Sequence, residues 1–482
     1  MSVAERDAPL LVFRKDRSYF RRIALAVAAL WGAGLLVVVF DGDLCIEKNL
    51  WAIAVLGLGL WPGLRTLHRG DIDVFPVFEL HALFYGICFG ASSLLISEQI
   101  SKVSLDERTL ALKASLAGVL ALYYGFFVAG PFFFGSTRPL RLENRVPYDS
   151  LLKHFWWVAS IYAVYRNWHG ILGGLDSVIV QPFHYIGWMS LAFVGADLLT
   201  APKARGSSLT AFAVLMALMM VAAVASAALS QIADIVVFLT FIVLNVRKTL
   251  LLKSFAVFIV LFVLLNPVKM KMRDATWSDP NGQSLSTFEK AKLFAELMAS
   301  EGLSPVSRDG YNAFETIVTR TDHAGLLAEV MSQTPDSVPY ANGITYLPML
   351  TVWIPRVIWA DKPKETLGND WAHWYSGLLN ADDTTTSLNL PWLVEFYVNF
   401  GWEGILVGMF LVGLLYAWLV RRLCFREAGT LEYAASMSLL LGFWFAESNL
   451  SLFVGGLILG SISLAIYMRF AFTFTKLKRS RS

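Results

Sequence analysis

Charge is scarce in this chain. Only 16% of its 482 residues are Asp, Glu, Lys or Arg, while 56% are hydrophobic, and the mean hydropathy is +0.56. That is the composition of a membrane protein, not of a water-soluble domain. Cysteine is scarcer still, with only Cys45, Cys88 and Cys424. The span pattern puts them in an outer loop, inside a span and on the cytoplasmic side. No two are placed to pair, so neither a disulfide nor a thiol–metal site is expected. There is no Gly-rich phosphate loop, no HExxH, no Gly-x-Ser-x-Gly elbow and no Cys/His cluster with metal spacing. Nucleotide chemistry therefore has no support, and neither cofactor nor metal is implied. About twenty mostly polar residues precede the first apolar run and no small-residue cleavage site follows it closely, so the N-terminus does not read as a cleavable signal peptide.

Long apolar runs are abundant. Runs of about 18 or more apolar residues are long enough to cross a hydrocarbon layer of roughly 30 Å. About twelve spans are expected on that length rule, near 23–40, 50–66, 76–96, 109–130, 154–172, 178–199, 208–228, 231–246, 250–267, 402–420, 433–448 and 452–472. The expected class is an all-α polytopic membrane protein. Its parts are a leading segment 1–22, a bundle 23–267, a large polar loop 268–400, closing spans 401–472 and a basic tail 473–482. One set of short loops carries Arg65 and Arg69, Arg138, Arg141 and Arg145, Lys203 and Arg205, Arg247 and Lys248, and Arg421, Arg422 and Arg426. The alternate loops are poor in Lys and Arg. The positive-inside bias therefore places both termini in the cytoplasm and the large loop outside it.

That loop is not low-complexity. Residues 284–301 have helical periodicity, with a Ser or Thr start and Glu289 shortly after. Residues 312–332 read as a second amphipathic helix. Residues 340–359 are apolar and aromatic but too broken to span, and are expected in the interface or packed on the bundle. Asn399-Phe-Gly401 marks a break before the tenth span.

Three constellations could carry chemistry. The first is the basic set Arg308, Arg320, Arg356, Lys362 and Lys364 in the large loop. Guanidinium offers a planar fork of donors that matches phosphate oxygens and stays charged at any working pH. The plain alternative is snorkelling to lipid headgroups or loop salt bridges. The second is Tyr165-Arg-Asn-Trp-His169 at the outer end of the fifth span. An arginine there costs on the order of 2.5–3.5 kcal/mol to insert, so it is expected to face a bundle interior or a wet cavity. Arg166 and His169 share a helix face, although Tyr165 and Trp168 are also ordinary interface anchors. The third is a set of acids: Asp234, Glu395, Glu447 and the pair Asp41 and Asp43. Glu395 reads either as a general base or as half of an ion pair.

Ile354-Pro-Arg-Val-Ile-Trp-Ala-Asp-Lys-Pro363, the preceding Tyr340-Ala-Asn-Gly-Ile-Thr-Tyr346 and the later Leu393-Val-Glu-Phe-Tyr-Val-Asn-Phe-Gly401 resemble bacterial Wzy-type O-antigen and exopolysaccharide polymerases. The layout is similar too: many spans, one large late loop, then a few closing spans. Some members of that family carry a Gly-Ser-Arg-like element where this chain reads Ser230-Gln-Ile-Ala-Asp234. Its arginine is then either dispensed with or replaced by Arg166.

The resemblance implies a GT-C-like glycosyltransferase in the bacterial inner membrane, its large loop periplasmic. Its substrates would be undecaprenyl-diphosphate-linked glycans and its surroundings the lipid bilayer. A chain-length regulator of the polysaccharide co-polymerase type would be a partner; nucleic acid would not. Arg166, Arg308, Arg320, Arg356 and Lys362 would bind the lipid diphosphate, with His169 and Asp234 nearby. Arg320 and Arg356 would also act catalytically, with Glu395 or His323 as base. The rival readings are an O-antigen ligase of the same chemistry, a single-sugar transferase using Asp41 or Asp43, and a polysaccharide flippase.

Overall fold

The computed structural model describes residues 17–479 apart from 41–45, 70–74, 97–102, 143–145, 169–175, 201–205, 248–251, 279–284, 303, 307–311, 352–353, 355–358, 360–366, 384–385, 425–427 and 445–446. Among the described residues helix is the only regular secondary structure, apart from an isolated bridge between Val306 and Asn312. In chain order the helices are α1 (Arg17–Phe40), α2 (Ile46–Arg69), α3 (Val77–Leu95), α4 (Leu105–Phe134), α5 (Tyr148–Tyr165), α6 (Asp176–Thr200), α7 (Gly206–Ala225), α8 (Leu229–Arg247) and α9 (Leu252–Leu264). Then come α10 (Asn266–Arg273), α11 (Thr287–Glu301), α12 (Ala313–Thr321), α13 (His323–Gln333), α14 (Trp392–Leu423), α15 (Thr430–Leu440) and α16 (Leu450–Arg479).

Seven of these are long and apolar enough to cross a membrane: the cores of α1, α2, α3, α4, α7, α14 and α16, with the shorter apolar stretch Ser230–Asn245 in α8. Of the remaining expected spans, 178–199 lies within the continuous helix α6, and three others are interrupted for visible reasons. The stretch 154–172 stops being helical after Tyr165, where Arg166 forms the C-terminal cap. The stretch 250–267 breaks between α9 and the Pro-initiated α10. The stretch 433–448 holds eleven-residue α15 and then tightens into a 3-10 turn, Leu441–Trp444.

The core is built on α4 against α14. A Cβ on Gly413 would lie 2.2 Å from the Leu122 carbonyl oxygen, and one on Gly125 would lie 2.3 Å from that of Phe410. Only glycine lets the two backbones come so close, and such small-residue contacts are how helices associate where lipid removes the hydrophobic drive. The large loop is not a separate unit. Leu327, Trp371 and Trp392 belong to the same buried cluster as Val119 of α4 and Phe78 of α3.

The expected break at Asn399-Phe-Gly401 is present, but helix precedes it as well as following it. Residues 392–399 are helical, and Phe400 and Gly401 kink the axis, with Gly401 at φ 64°. Segment 340–350 packs against the kink. Ala341 N–H donates to the Val398 carbonyl, and Gly343 N–H donates to Asn399 Oδ1 at 2.8 Å, after which Ile344–Leu350 forms a 3-10 turn.

Helix α11 starts as its sequence requires. Ser286 Oγ accepts from Glu289 N–H while the Glu289 carboxylate accepts from Ser286 N–H, a complete capping box. The stretch 312–332 departs from expectation: it is two helices, broken at Asp322. The Asp322 carboxylate caps α13 through Gly325 N–H at 3.1 Å and accepts both oxygens' bonds from Arg108 Nη1 at 2.8 Å. A continuous helix would give up both interactions.

The long α4 carries Arg108 near one end and leads to Arg138 past the other, where Arg422 donates to the Arg138 carbonyl and Leu140 N–H donates to that of Arg422. Two of the cation-rich short loops thus meet at one end of the bundle, and Asp322 and His323 sit at the opposite end.

Candidate functional site

The break at Asp322 decides where the chemistry collects. It sets Arg320 at the end of α12 and His323 at the start of α13, on either side of a buried ion pair whose side chains are 4% and 7% exposed. Rings of Phe84 and Phe89 on α3 lie 5.6 Å from the His323 imidazole. Glu447, just ahead of α16, meets both residues. His323 Nε2 lies 3.5 Å from its Oε1, and Arg320 Nη2 lies 3.9 Å from its Oε2. His323 and Glu447 are buried, whereas the Arg320 side chain is 54% exposed.

With Nε2 turned to a carboxylate, a neutral His323 carries its proton there and leaves Nδ1 as the lone pair. His323 Nδ1 and Glu447 Oε2 are both buried without a hydrogen-bond partner among the described residues. Burial alone would raise the Glu447 carboxyl pKa. The hydrogen bond and charge of His323, the Arg320 charge and a hydrogen bond with Asn389 outweigh that and hold it below the usual carboxylate value.

Two further cations arrive from α10. Lys269 is almost completely buried. Burial first, and then the nearby Arg320 and Arg273 charges, pull its ammonium down to about 8, against a smaller opposing pull from Glu447. Arg273 stacks 3.9 Å from the Trp277 ring. Burial and Arg320 lower its pKa as well, with Asp274 opposing. Lys271, on the same short helix, is held apart by its 2.8 Å bond to Glu301 of α11. Three cations and a histidine therefore share two carboxylates. A buried Lys269 beside two less buried arginines is costly without a compensating anion, an arrangement suited to an anionic ligand.

The expected residues fare differently. Arg320 and His323 are together. Arg308, Arg356, Lys362 and His169 lie outside the described residues, as do Asp41, Asp43 and Cys45. Arg166 stands elsewhere: its Nη2 donates to Gln231 Oε1 across α5 and α8. Asp234, three residues further along α8, lines a separate cavity of about 220 Å³ with His184, Tyr185 and Ser448.

Glu395 is fully buried. Oε1 accepts from Thr345 Oγ1 and Oε2 from Leu450 N–H, each at 2.8 Å. It ties the 340–350 segment and the start of α16 to α14. With no exposed surface and both oxygens engaged, it is badly placed to take a substrate proton. Glu395→Gln is expected to lower stability by about 1–3 kcal/mol, because one buried donor loses its acceptor, while any transfer rate changes only a few-fold. Loss of activity in a variant that melts like the parent would restore Glu395 as the base.

Lys269 and Arg273 escaped the sequence reading. The available signal was the run Lys269-Met-Lys-Met-Arg273, directly after an apolar stretch and on the side that charge bias makes poor in cations.

No curated protein and no solved structure matches this chain. Residues 107–424, more than half of the chain and spanning α4 to the end of α14, match the model of a family described as a domain of unknown function, DUF8712, and the chain belongs to that family.

Proposed function

We propose that the chain is a membrane glycosyltransferase that extends a glycan using lipid-diphosphate-linked saccharides, as the resemblance to Wzy-type polymerases implies. The observation that supports this reading is the contact of Arg320, at 3.9 Å, and His323, at 3.5 Å, with the buried Glu447 at one end of the apolar bundle, with Lys269 and Arg273 of α10 within electrostatic reach of Arg320. In the proposed step an acceptor hydroxyl oxygen bonds to the anomeric carbon of the lipid-linked sugar. The bond from that carbon to the diphosphate oxygen breaks, and the diphosphate leaves with the electron pair. Fixed cations stabilise the charge that develops on it. The hydroxyl proton passes to His323, whose resulting charge Glu447 balances. In this reading the site faces the periplasm and most of the remaining expected spans are re-entrant or tilted segments of a twelve-span plan.

Purified protein supplied with lipid-diphosphate-linked repeat units is the test. Lengthening glycan chains on the lipid are expected. Movement of intact repeat units across a vesicle membrane without new glycosidic bonds would instead make the chain a transporter. Chains moved onto a different acceptor lipid would make it a ligase.

Lys269 gives the reading a pH signature. A bound diphosphate favours the charged ammonium, so its affinity is flat below pH 8. Above about 8 binding must also take up a proton, and affinity is expected to fall by up to about tenfold per pH unit. Among the described residues, the charges that act on Lys269 are those of Arg320, Arg273 and Glu447, with Asp274 beside Arg273 and the Lys271–Glu301 pair on the same helix. Lys269→Arg should flatten the profile. A profile unchanged by that substitution would place the titration elsewhere.

A further inference from the structure

A second cavity, of about 500 Å³, opens where the ends of α5 and α7 and the start of α8 meet the first turn of α11. Its size is that of a small-molecule site. Arg166, Asn167, Trp168, Gln231, Ser286 and Lys290 line it, and no carboxylate among the described residues does. Arg166 spends one nitrogen on Gln231, but its Nε is buried without an acceptor among the described residues. Asn167 is 3% exposed, and its Nδ2 donates to two carbonyls, those of Ala163 and Leu218, each at 2.9 Å. Only an NH₂ group can serve two carbonyl oxygens, so the amide orientation is fixed and Oδ1 is the atom left unpartnered. Glu289, beside the cavity, is engaged in its capping box. Trp168 is half exposed and meets Phe288 edge-on at 5.5 Å.

These features describe a ligand. The Arg166 guanidinium calls for an anion, and its buried Nε calls for an acceptor oxygen in the plane of the guanidinium. The stranded Asn167 Oδ1 calls for a hydroxyl or amide donor. An exposed indole at the wall offers a flat apolar face beside a polar edge. A pyranose ring bearing a carboxylate supplies all of these at once: ring hydroxyls, a C–H face and a fixed anion. We infer that this cavity binds an acidic saccharide, with Arg166 on the carboxylate, Asn167 on a ring hydroxyl and Trp168 against the ring. Identifying that saccharide as the acceptor rests on the glycosyltransferase reading; the binding does not. The first turn of α8 joins the two regions, because Gln231 lines this cavity and Asp234 the smaller one, whose wall includes Ser448 next to Glu447.

The test is equilibrium binding of a free glucuronate-containing tetrasaccharide to the purified full chain in phosphatidylcholine nanodiscs, read by tryptophan fluorescence and calorimetry. Its carboxyl-reduced, neutral counterpart is the comparison. The acidic ligand is expected to bind about tenfold or more tightly, the usual scale of a charge-assisted hydrogen bond. Arg166→Gln should bring the two ligands within about threefold of each other. Trp168→Ala should weaken both ligands equally. Equal binding of the two by the parent chain, or no binding of either, overturns the inference. So does displacement of the saccharide by phosphatidylglycerol in the disc, which would mark a headgroup site. Arg320→Ala separates the two proposals: it should leave saccharide binding intact while chain growth stops. Saccharide binding in a protein that never transfers sugar would sink the enzyme reading alone.

Discussion

Replacing Arg108 by Met is expected to destabilise the folded chain by about 3–5 kcal/mol, because it strands the Asp322 carboxylate in a buried position. The geometry is specific. Arg108 Nη1 lies 2.8 Å from both carboxylate oxygens, and neither side chain is more than 7% exposed. The same carboxylate caps α13. Asp322→Asn keeps an acceptor for Gly325 N–H but removes the charge, so it should cost less than Asp322→Ala, which also loses about 1 kcal/mol of capping. The double change Arg108→Met with Asp322→Asn should cost clearly less than the two single changes added together, since neither charge is then left unpaired. Denaturation in mixed micelles would measure the series. Strict additivity would show that the pair contributes nothing as a pair. A second readout follows from position: the break at Asp322 sets Arg320 and His323, so the single variants should also lose glycan extension at temperatures where they remain folded.

That break was not legible in the sequence. The apolar periodicity of 312–332 runs straight through Asp322, and pattern alone favours one helix. The Asp322 N-cap on Gly325 is a local signal that the periodicity overrode, but the ion pair that fixes the break comes from a partner 214 residues away, which no local rule encodes. The capping box at Ser286 was legible because it is a local exchange over three residues. The all-α class was legible from the long apolar runs, but those runs overstated the number of uninterrupted spans. Asn266-Pro267 and the tight turn at Leu441–Trp444 divide stretches whose averages look continuous.

The site was half visible for the same reason. Arg320 and His323 drew notice as polar residues in an apolar segment. Glu395 and Glu447 looked alike as acids near one face. Burial with two engaged oxygens separates Glu395 from Glu447, whose Oε2 has no hydrogen bond among the described residues. The charge arriving from α10 depends on where a short helix turns after a Pro, which spacing does not give. Arg166 matched the expectation of a charge facing a cavity, though the cavity is not the one that holds Arg320.

Arg320→Ala is the substitution with the largest expected effect on glycan extension. A single fixed donor to developing charge in a partly dry site typically contributes about 10²–10³ in rate. Arg320 is the group that the electrostatics of Lys269, Arg273 and Glu447 have in common. Its side chain is more than half exposed and the buried Glu447 keeps its contact with His323, so its removal should change stability by about 1 kcal/mol or less. That separation makes the result interpretable. If Arg320 stabilises the departing diphosphate, kcat falls with little change in KM, because the interaction strengthens only as the bond breaks. If it merely holds lipid headgroups, KM rises and kcat stays. Arg320→Lys keeps the charge but not the fork of donors, and should recover part of the rate. Glu447→Gln supplies the complementary arm. It removes the charge that balances the imidazolium formed when His323 takes the hydroxyl proton, so kcat is expected to fall with little change in KM. Equal rates for the parent, Arg320→Ala and Glu447→Gln chains at saturating lipid-linked substrate would remove this cluster from the reaction altogether.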